Sequence, residues 1–136
     1  MKQQKSSVIL VFNDRGELAL QLRARNDEGY PLHWDMSAAG GIASDENPKQ
    51  TAIRELKEEI GVETEVELVT EILYQDEKEA DYLYIYKAKY NGEFVPDGVE
   101  VEKAEFFSLD KIEAMIASGE KFHPEFLFLW NKGLIK

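Results

Sequence analysis

The apolar positions change rhythm several times along the chain. From Ser7 to Phe12 they form an unbroken, partly β-branched run, Asn13-Asp14-Arg15-Gly16 supplies a turn signal, and Leu18, Leu20 and Leu22 then alternate with Ala19, Gln21 and Arg23. That pattern predicts a hairpin. Asn26 to His33 is turn-like, and Trp34 to Ala39 is a short apolar stretch ending at Gly40-Gly41. The spacing then predicts a helix from Pro48 to Ile60: Asn47 can cap, Pro48 suits the first helical position, Gln50 completes a capping box and Gly61 is placed as a left-handed terminator. Beyond it, Glu65 to Tyr74 and Tyr82 to Lys89 read as strands, with the acidic Gln75 to Asp81 between them as a solvated hairpin tip. After the Asn91-Gly92 turn come a short strand, Ala104 to Phe107, and a helix, Leu109 to Ala117, with Leu109, Ile112, Met115 and Ile116 on one face. A last helix is expected from Pro124 to Leu134. Strands and helices interleave without a regular βαβ repeat, which favours an α+β fold with a mixed sheet over a doubly wound one.

Composition narrows the function classes. With 136 residues, 43% of them apolar, and no linker or low-complexity tract, the chain reads as one domain, 1–136. The longest apolar runs, Val8–Phe12 and Phe126–Trp130, fall far short of the roughly 20 residues a membrane-spanning helix needs. No secretory h-region follows Met1-Lys2-Gln3-Gln4-Lys5, so a cytoplasmic location is expected. The absence of cysteine removes disulfides, thiolate zinc sites and thiol nucleophiles together. Sixteen basic against 27 acidic side chains give a net charge of −11, which disfavours nucleic acid polymers and anionic membranes as partners. An anionic ligand would need a local reversal of that field.

Chemistry must then come from carboxylates, hydroxyls, the two histidines or a bound ion, and carboxylates cluster on the predicted helix. At about 100° per residue, Glu55, Glu58 and Glu59 share one face, and Ala52, Ile53, Leu56 and Ile60 share the next. Like charges at these separations cost a helix roughly 0.2–0.5 kcal/mol per pair. Two readings stand: a solvated acidic face, or a site for a hard cation such as Mg²⁺, which takes oxygen ligands and bridges carboxylates to substrate phosphates.

The wider spacing bears on that choice. Gly40, five residues, Glu46, seven residues, and then Arg54-Glu55-Leu56-Lys57-Glu58-Glu59-Ile60-Gly61-Val62 match the Nudix box at every defined position. The sequence therefore resembles the Nudix hydrolases over most of its length. The resemblance implies an α/β/α sandwich with a mixed β-sheet and a Mg²⁺-dependent hydrolase, Mn²⁺ being the alternative metal, that cleaves a diphosphate linkage in a nucleoside diphosphate linked to X or a related small molecule. By position, Glu58 and Glu59 match metal ligands, and Glu55 matches a residue that binds metal or acts as general base. Arg54 matches the arginine that orients the glutamates, Glu46 the acid that pairs with it, and Gly40 a backbone carbonyl donor to the metal. A further ligand commonly precedes the strand leading to the next helix; Glu100 is the best match and Glu102 the reserve.

Arg23-Ala24-Arg25 followed by Trp34-Asp35-Met36-Ser37-Ala38-Ala39-Gly40-Gly41 is similar to the subgroup related to isopentenyl-diphosphate isomerase. The isomerase cysteine and histidine are replaced by Ala39 and Gly41, so hydrolysis is expected rather than isomerisation. A non-catalytic Nudix-like binding module is the other alternative, weakened by the complete set of box glutamates. Arg23 and Arg25, two apart on one expected strand face, are either a phosphate clamp or surface arginines. His33 and Trp34 are candidates to contact substrate, with a core role the alternative for Trp34. Tyr82, Tyr84 and Tyr86 either flank a base or line a half-buried sheet face. His123 is assigned no role. Phe122, Phe126, Leu127, Leu129 and Trp130 are core or a homodimer seam.

Overall fold

The spine of the protein is a first strand longer than its apolar run. In a computed structural model describing residues 2–135, β1 spans Lys2–Phe12, and its polar first half is extended because all eleven residues pair in parallel with β6 (Glu79–Lys89), from Lys2↔Glu79 to Phe12↔Lys89. Backbone pairing, not hydrophobicity, sets that boundary. On its other side β1 meets β2 (Leu18–Arg23) and β4 (Ala38–Gly41), both antiparallel. β2 carries β3 (Trp34–Asp35) and β7 (Val101–Phe107), while β5 (Val66–Gln75) closes the far edge on β6. The expected acidic hairpin tip is shorter than predicted, because β5 and β6 zip together as far as Gln75↔Ala80.

Alternation along β1 and β2 divides the core into two layers. Val8, Leu10, Leu18 and Leu20 pack against α2 (Leu109–Ala117) and α3 (Pro124–Asn131), whereas Ile9, Val11 and Ala19 pack against Ala52, Leu56 and Ile60 of α1 (Pro48–Ile60). The result is helix, mixed sheet and helix pair: the expected sandwich. Burying Leu56 or Ile60 contributes roughly 1.5–3 kcal/mol each. α3 ends three residues earlier than predicted, since Gly133 takes φ 73° and turns the chain out of the helix. His123 has a structural role after all. Its Nδ1 accepts the Glu125 N–H at 3.1 Å and caps α3. Phe122, Phe126, Leu129 and Trp130 are core residues, with Leu127 half-buried beside them. Among the described residues no helix is long and apolar enough to cross a membrane.

Two acids lie inside the α3 layer. Asp81 is 2% exposed and Glu125 7%. Asp81 Oδ2 accepts from Gln4 Nε2 and Ser6 Oγ, both at 3.0 Å, while among the described residues no N–H or hydroxyl donates to Oδ1. Burial first, then the hydrogen bond to Asp81 and the charges of Asp81, Asp35 and Glu79, push the Glu125 carboxyl up to about 9. Glu125 thus holds a proton at neutral pH and serves as the donor Asp81 lacks.

Candidate active site

α1 is fixed at both ends by the residues its sequence singled out. Asn47 Oδ1 accepts the Gln50 N–H and Gln50 Oε1 accepts the Asn47 N–H, each at 2.8 Å, and Ser7 Oγ on β1 donates to the Pro48 carbonyl at 2.7 Å. At the other end Gly61 adopts φ 71°, and a Cβ there would stand 2.8 Å from Val95 Cβ. The loop before β7 crosses this terminus, with Val95 N–H donating to the Ile60 carbonyl at 2.9 Å and Asp97 N–H to the Glu59 carbonyl at 3.1 Å. Helix and loop are thereby joined at the level of the acids.

The three box glutamates occupy different environments. The Glu58 side chain is 58% exposed, that of Glu55 15%, and Glu59 is buried. The helical wheel puts Glu59 beside the apolar stripe; packing against β2 and β4 draws it inside. Glu59 Oε1 accepts from Gln21 Nε2 at 2.6 Å and from the Ala39 N–H at 3.4 Å. Burial pushes its carboxyl well above the usual range, and Glu55 adds to the shift. Glu55 in turn lies against Gly40, where a Cβ would overlap the carboxyl carbon and stand 2.7 Å from Oε2. A glycine at 40 leaves the space that the Glu55 carboxylate fills.

Arg54 ties the acids together. Its Nε and Nη2 bind Glu46 in a bidentate pair at 2.8 and 2.9 Å, while Nη1 reaches Glu55 at 2.7 Å and Glu58 at 3.1 Å. Glu46, also held by Thr51 Oγ1 at 2.7 Å, stays below its ordinary value chiefly because of Arg54.

Glu100 and Glu102 are separated by what surrounds them. Asp97 Oδ1 accepts the amides of Val99, Glu100 and Val101 at 2.9, 2.9 and 3.0 Å, Gly98 takes φ 75°, and the Glu100 carbonyl accepts the Ala24 N–H at 3.0 Å. Glu100 lines a polar cavity of about 70 Å³ with Gln21, Arg23, Asp35, Ala39 and Glu59. Partial desolvation raises its carboxyl first, followed by Asp97, Glu55 and Glu58. Glu102 instead accepts from the Arg25 N–H and Nε, both at 3.1 Å.

Several substrate-contact expectations change. β2 ends at Arg23, so Arg25 shares no strand face with it and forms an exposed pair with Glu102, outside the cavity. Arg23 remains in the cavity, bound to Asp35 at 2.9 Å and Asp27 at 2.8 Å, its buried Nε without a partner among the described residues. Trp34 belongs to the opposite layer, edge-on to Phe107, its Nε1 donating to Glu120 at 3.3 Å. β3 turns its side chain away from the box. The His33 Nδ1 contacts the Pro31 carbonyl at 2.8 Å and its ring meets Tyr30 edge-on, again outside the cavity. Tyr86 is buried with the α1 layer, and Tyr82 donates to Glu71 at 2.9 Å, so the row is a sheet face. Gln21 and Asp35 are the site residues the sequence reading passed over. A glutamine between Leu20 and Leu22, in step with buried Ala19, was the available signal.

Among the described residues no three of these acids, with or without a histidine, stand as a finished metal cage. Arg54 draws Glu55 and Glu58 together while Gln21 holds Glu59. The donor set nevertheless fits a hard divalent cation: every side-chain donor is a carboxylate, and Glu55 and Glu59 are two neighbouring acids largely withdrawn from water.

Known proteins match this arrangement in sequence and in fold. The family model for the NUDIX domain matches residues 1–129. An uncharacterized Nudix hydrolase of Listeria innocua is 36% identical over 121 residues, covering 87% of this chain and 70% of that protein. A Deinococcus radiodurans crystal structure superposes with a TM-score of 0.85 at 18% identity, covering 95% of this chain and 82% of that one. The NUDIX domain of Shewanella oneidensis NrtR, crystallised with ADP ribose, gives 0.78 at 17% identity, covering 98% and 87%. These two structures agree in fold, and the match of family model and relative across the box just described places the chain in the Nudix hydrolase family.

Proposed function

We propose that this chain hydrolyses a phosphoanhydride linkage in a small molecule of the form nucleoside diphosphate linked to X, using Mg²⁺ or, as the alternative, Mn²⁺. The observation carrying this reading is the buried Glu59 carboxyl, which shares one polar cavity with Glu100 and Arg23 and neighbours Glu55. Glu55, Glu58 and Glu59 would hold the metal, with Glu100 and the Gly40 carbonyl as further donors. When bound, the metal neutralises charge on the phosphates and activates water. Arg54 keeps Glu55 and Glu58 on one side of the helix, and Asp97 sets the Glu100 backbone toward the cavity. Arg23, on the wall of the same cavity, would meet a phosphate oxygen there. Either Glu55 or Glu59 would take the proton of the attacking water. Ala39 and Gly41 carry no proton-transferring side chain, which counts against allylic isomerisation.

The test is a panel of nucleoside triphosphates, dinucleoside polyphosphates, ADP-ribose and isoprenoid diphosphates, with phosphate release followed with and without Mg²⁺. Metal-dependent turnover of a nucleoside diphosphate derivative is expected, and Glu58→Gln and Glu59→Gln each lower it on the order of 10²-fold or more. Nucleotide binding without turnover at any metal concentration would instead identify a non-catalytic binding module.

A further inference from the structure

Gln21 lies on β2, outside the box, and is 6% exposed. Its surroundings are fixed. It follows Ala19 on the face that packs α1, and it reaches the last turn of that helix. Its single amide nitrogen donates twice, to the Ser37 carbonyl at 3.1 Å and to Glu59 Oε1 at 2.6 Å. Both of its N–H bonds are therefore committed. The carbonyl it rests on is itself immobile, because buried Ser37 accepts the Val11 N–H at 2.9 Å and donates to the Ala19 carbonyl at 2.6 Å through Oγ. A chain of contacts thus runs from the β1–β2 backbone through Ser37 and Gln21 to one oxygen of one box glutamate.

The arrangement divides the Glu59 carboxyl by task. Oε1 accepts from both Gln21 and the Ala39 amide, so neither of these bonds engages Oε2, while the Glu55 carboxyl lies within hydrogen-bonding reach of the same group. A carboxyl held by one oxygen on a rigid carboxamide cannot rotate freely, so its second oxygen keeps a fixed direction. We propose that Gln21 is a positioning residue: anchored on Ser37, it holds Oε1 of Glu59 so that Oε2 is presented to the cation. A glutamine suits the task because it donates without bringing charge. A glutamate at 21 would set a second anion against Glu59, and a lysine would compete with the metal.

This inference rests on the metal site proposed above, and the experiment separates the two. Wild type, Gln21→Met, Gln21→Asn, Glu59→Gln and the Gln21→Met/Glu59→Gln double variant are titrated with Mn²⁺, free Mn²⁺ being read by electron paramagnetic resonance. Melting in EDTA checks folding. Methionine keeps the length and volume of glutamine without its N–H bonds; asparagine keeps the carboxamide but is too short to span Ser37 and Glu59, and carries the test should the methionine variant fail to fold. Gln21→Met is expected to weaken Mn²⁺ binding about 10- to 100-fold, as loss of a ligand's hydrogen-bonding partner does. In the Glu59→Gln background the same change should have no further effect, a non-additivity that a merely structural role would not produce. Wild-type affinity in both Gln21 variants, with affinity lost in Glu59→Gln, overturns the role of Gln21 and leaves the metal site standing. Wild-type affinity in Glu59→Gln overturns both.

Discussion

Raising the pH from 7 to 8.5 should destabilise this protein, and the Asp81–Glu125 pair should be a measurable part of the reason. In the folded chain Glu125 keeps its proton up to about 9, whereas its ordinary value is 4.5. Between those limits the folded state binds one more proton at this residue than the unfolded state. The stability this proton contributes is full below about 4.5 and is lost as pH rises through about 9. One proton corresponds to about 1.4 kcal/mol per pH unit, so 1.5 units amount to roughly 2 kcal/mol, or a melting temperature lower by roughly 8 °C for a domain of this size. Other groups must be separated from it. Glu59 is raised as well and slopes the same way, while His123, lowered by burial, acts below pH 7 with the opposite sign. Comparison with Glu125→Gln isolates the term, since the variant keeps an amide donor for Asp81 and has nothing to titrate. Calorimetry or urea unfolding at pH 7.0, 7.75 and 8.5 should show a wild-type slope steeper than the variant's by about one proton. Parallel curves would refute the reasoning.

Three further outcomes follow from the site. Gly40→Ala should displace the Glu55 carboxylate, whose carboxyl carbon the new Cβ would overlap, lowering turnover at least about tenfold while the melting temperature stays within a few degrees, because a flexible side chain can yield; kinetics and melting on one preparation check both halves. Arg54→Ala removes the partner shared by Glu46, Glu55 and Glu58, so activity should fall at least about tenfold and calorimetry should show a lower melting temperature, with both worsening at low salt. Glu100→Gln should reduce activity more than Glu102→Gln, since Glu100 faces the acid cavity and Glu102 is engaged with Arg25; equal effects in parallel assays would remove Glu100 from the site.

The legible parts of the fold were those written locally. The bounds of α1, its capping box and its left-handed end depend on residues within a few positions of one another, and the sequence specifies them directly. The extension of β1 to Lys2 was not legible, because its cause lies in β6. The site divides the same way. The spacing of the glutamates and their arginine is carried on one helix, so their proximity could be anticipated. The burial of Glu59 depends on Gln21 and Ala39, contributed by strands that reach it only in three dimensions. For Arg25 and Trp34 the structure shows the alternatives, a surface arginine and a core tryptophan, because a strand ending two residues short of Arg25, or facing the other layer, reverses what a side chain meets.

The parallel seam between β1 and β6 also fixes an order of events during synthesis. Each β1 residue pairs with a partner 77 positions downstream, as Lys2 does with Glu79 and Phe12 with Lys89. At about 5–20 residues per second, a ribosome emits those 77 residues in roughly 4–15 s, and until then β1 has only its antiparallel neighbours. The box helix emerges within that interval, ahead of the loop carrying Glu100. The nascent chain therefore carries its acidic helix before the far wall of the cavity exists, and this long-range parallel seam, the kind of pairing that forms slowly, can close only once β6 has emerged.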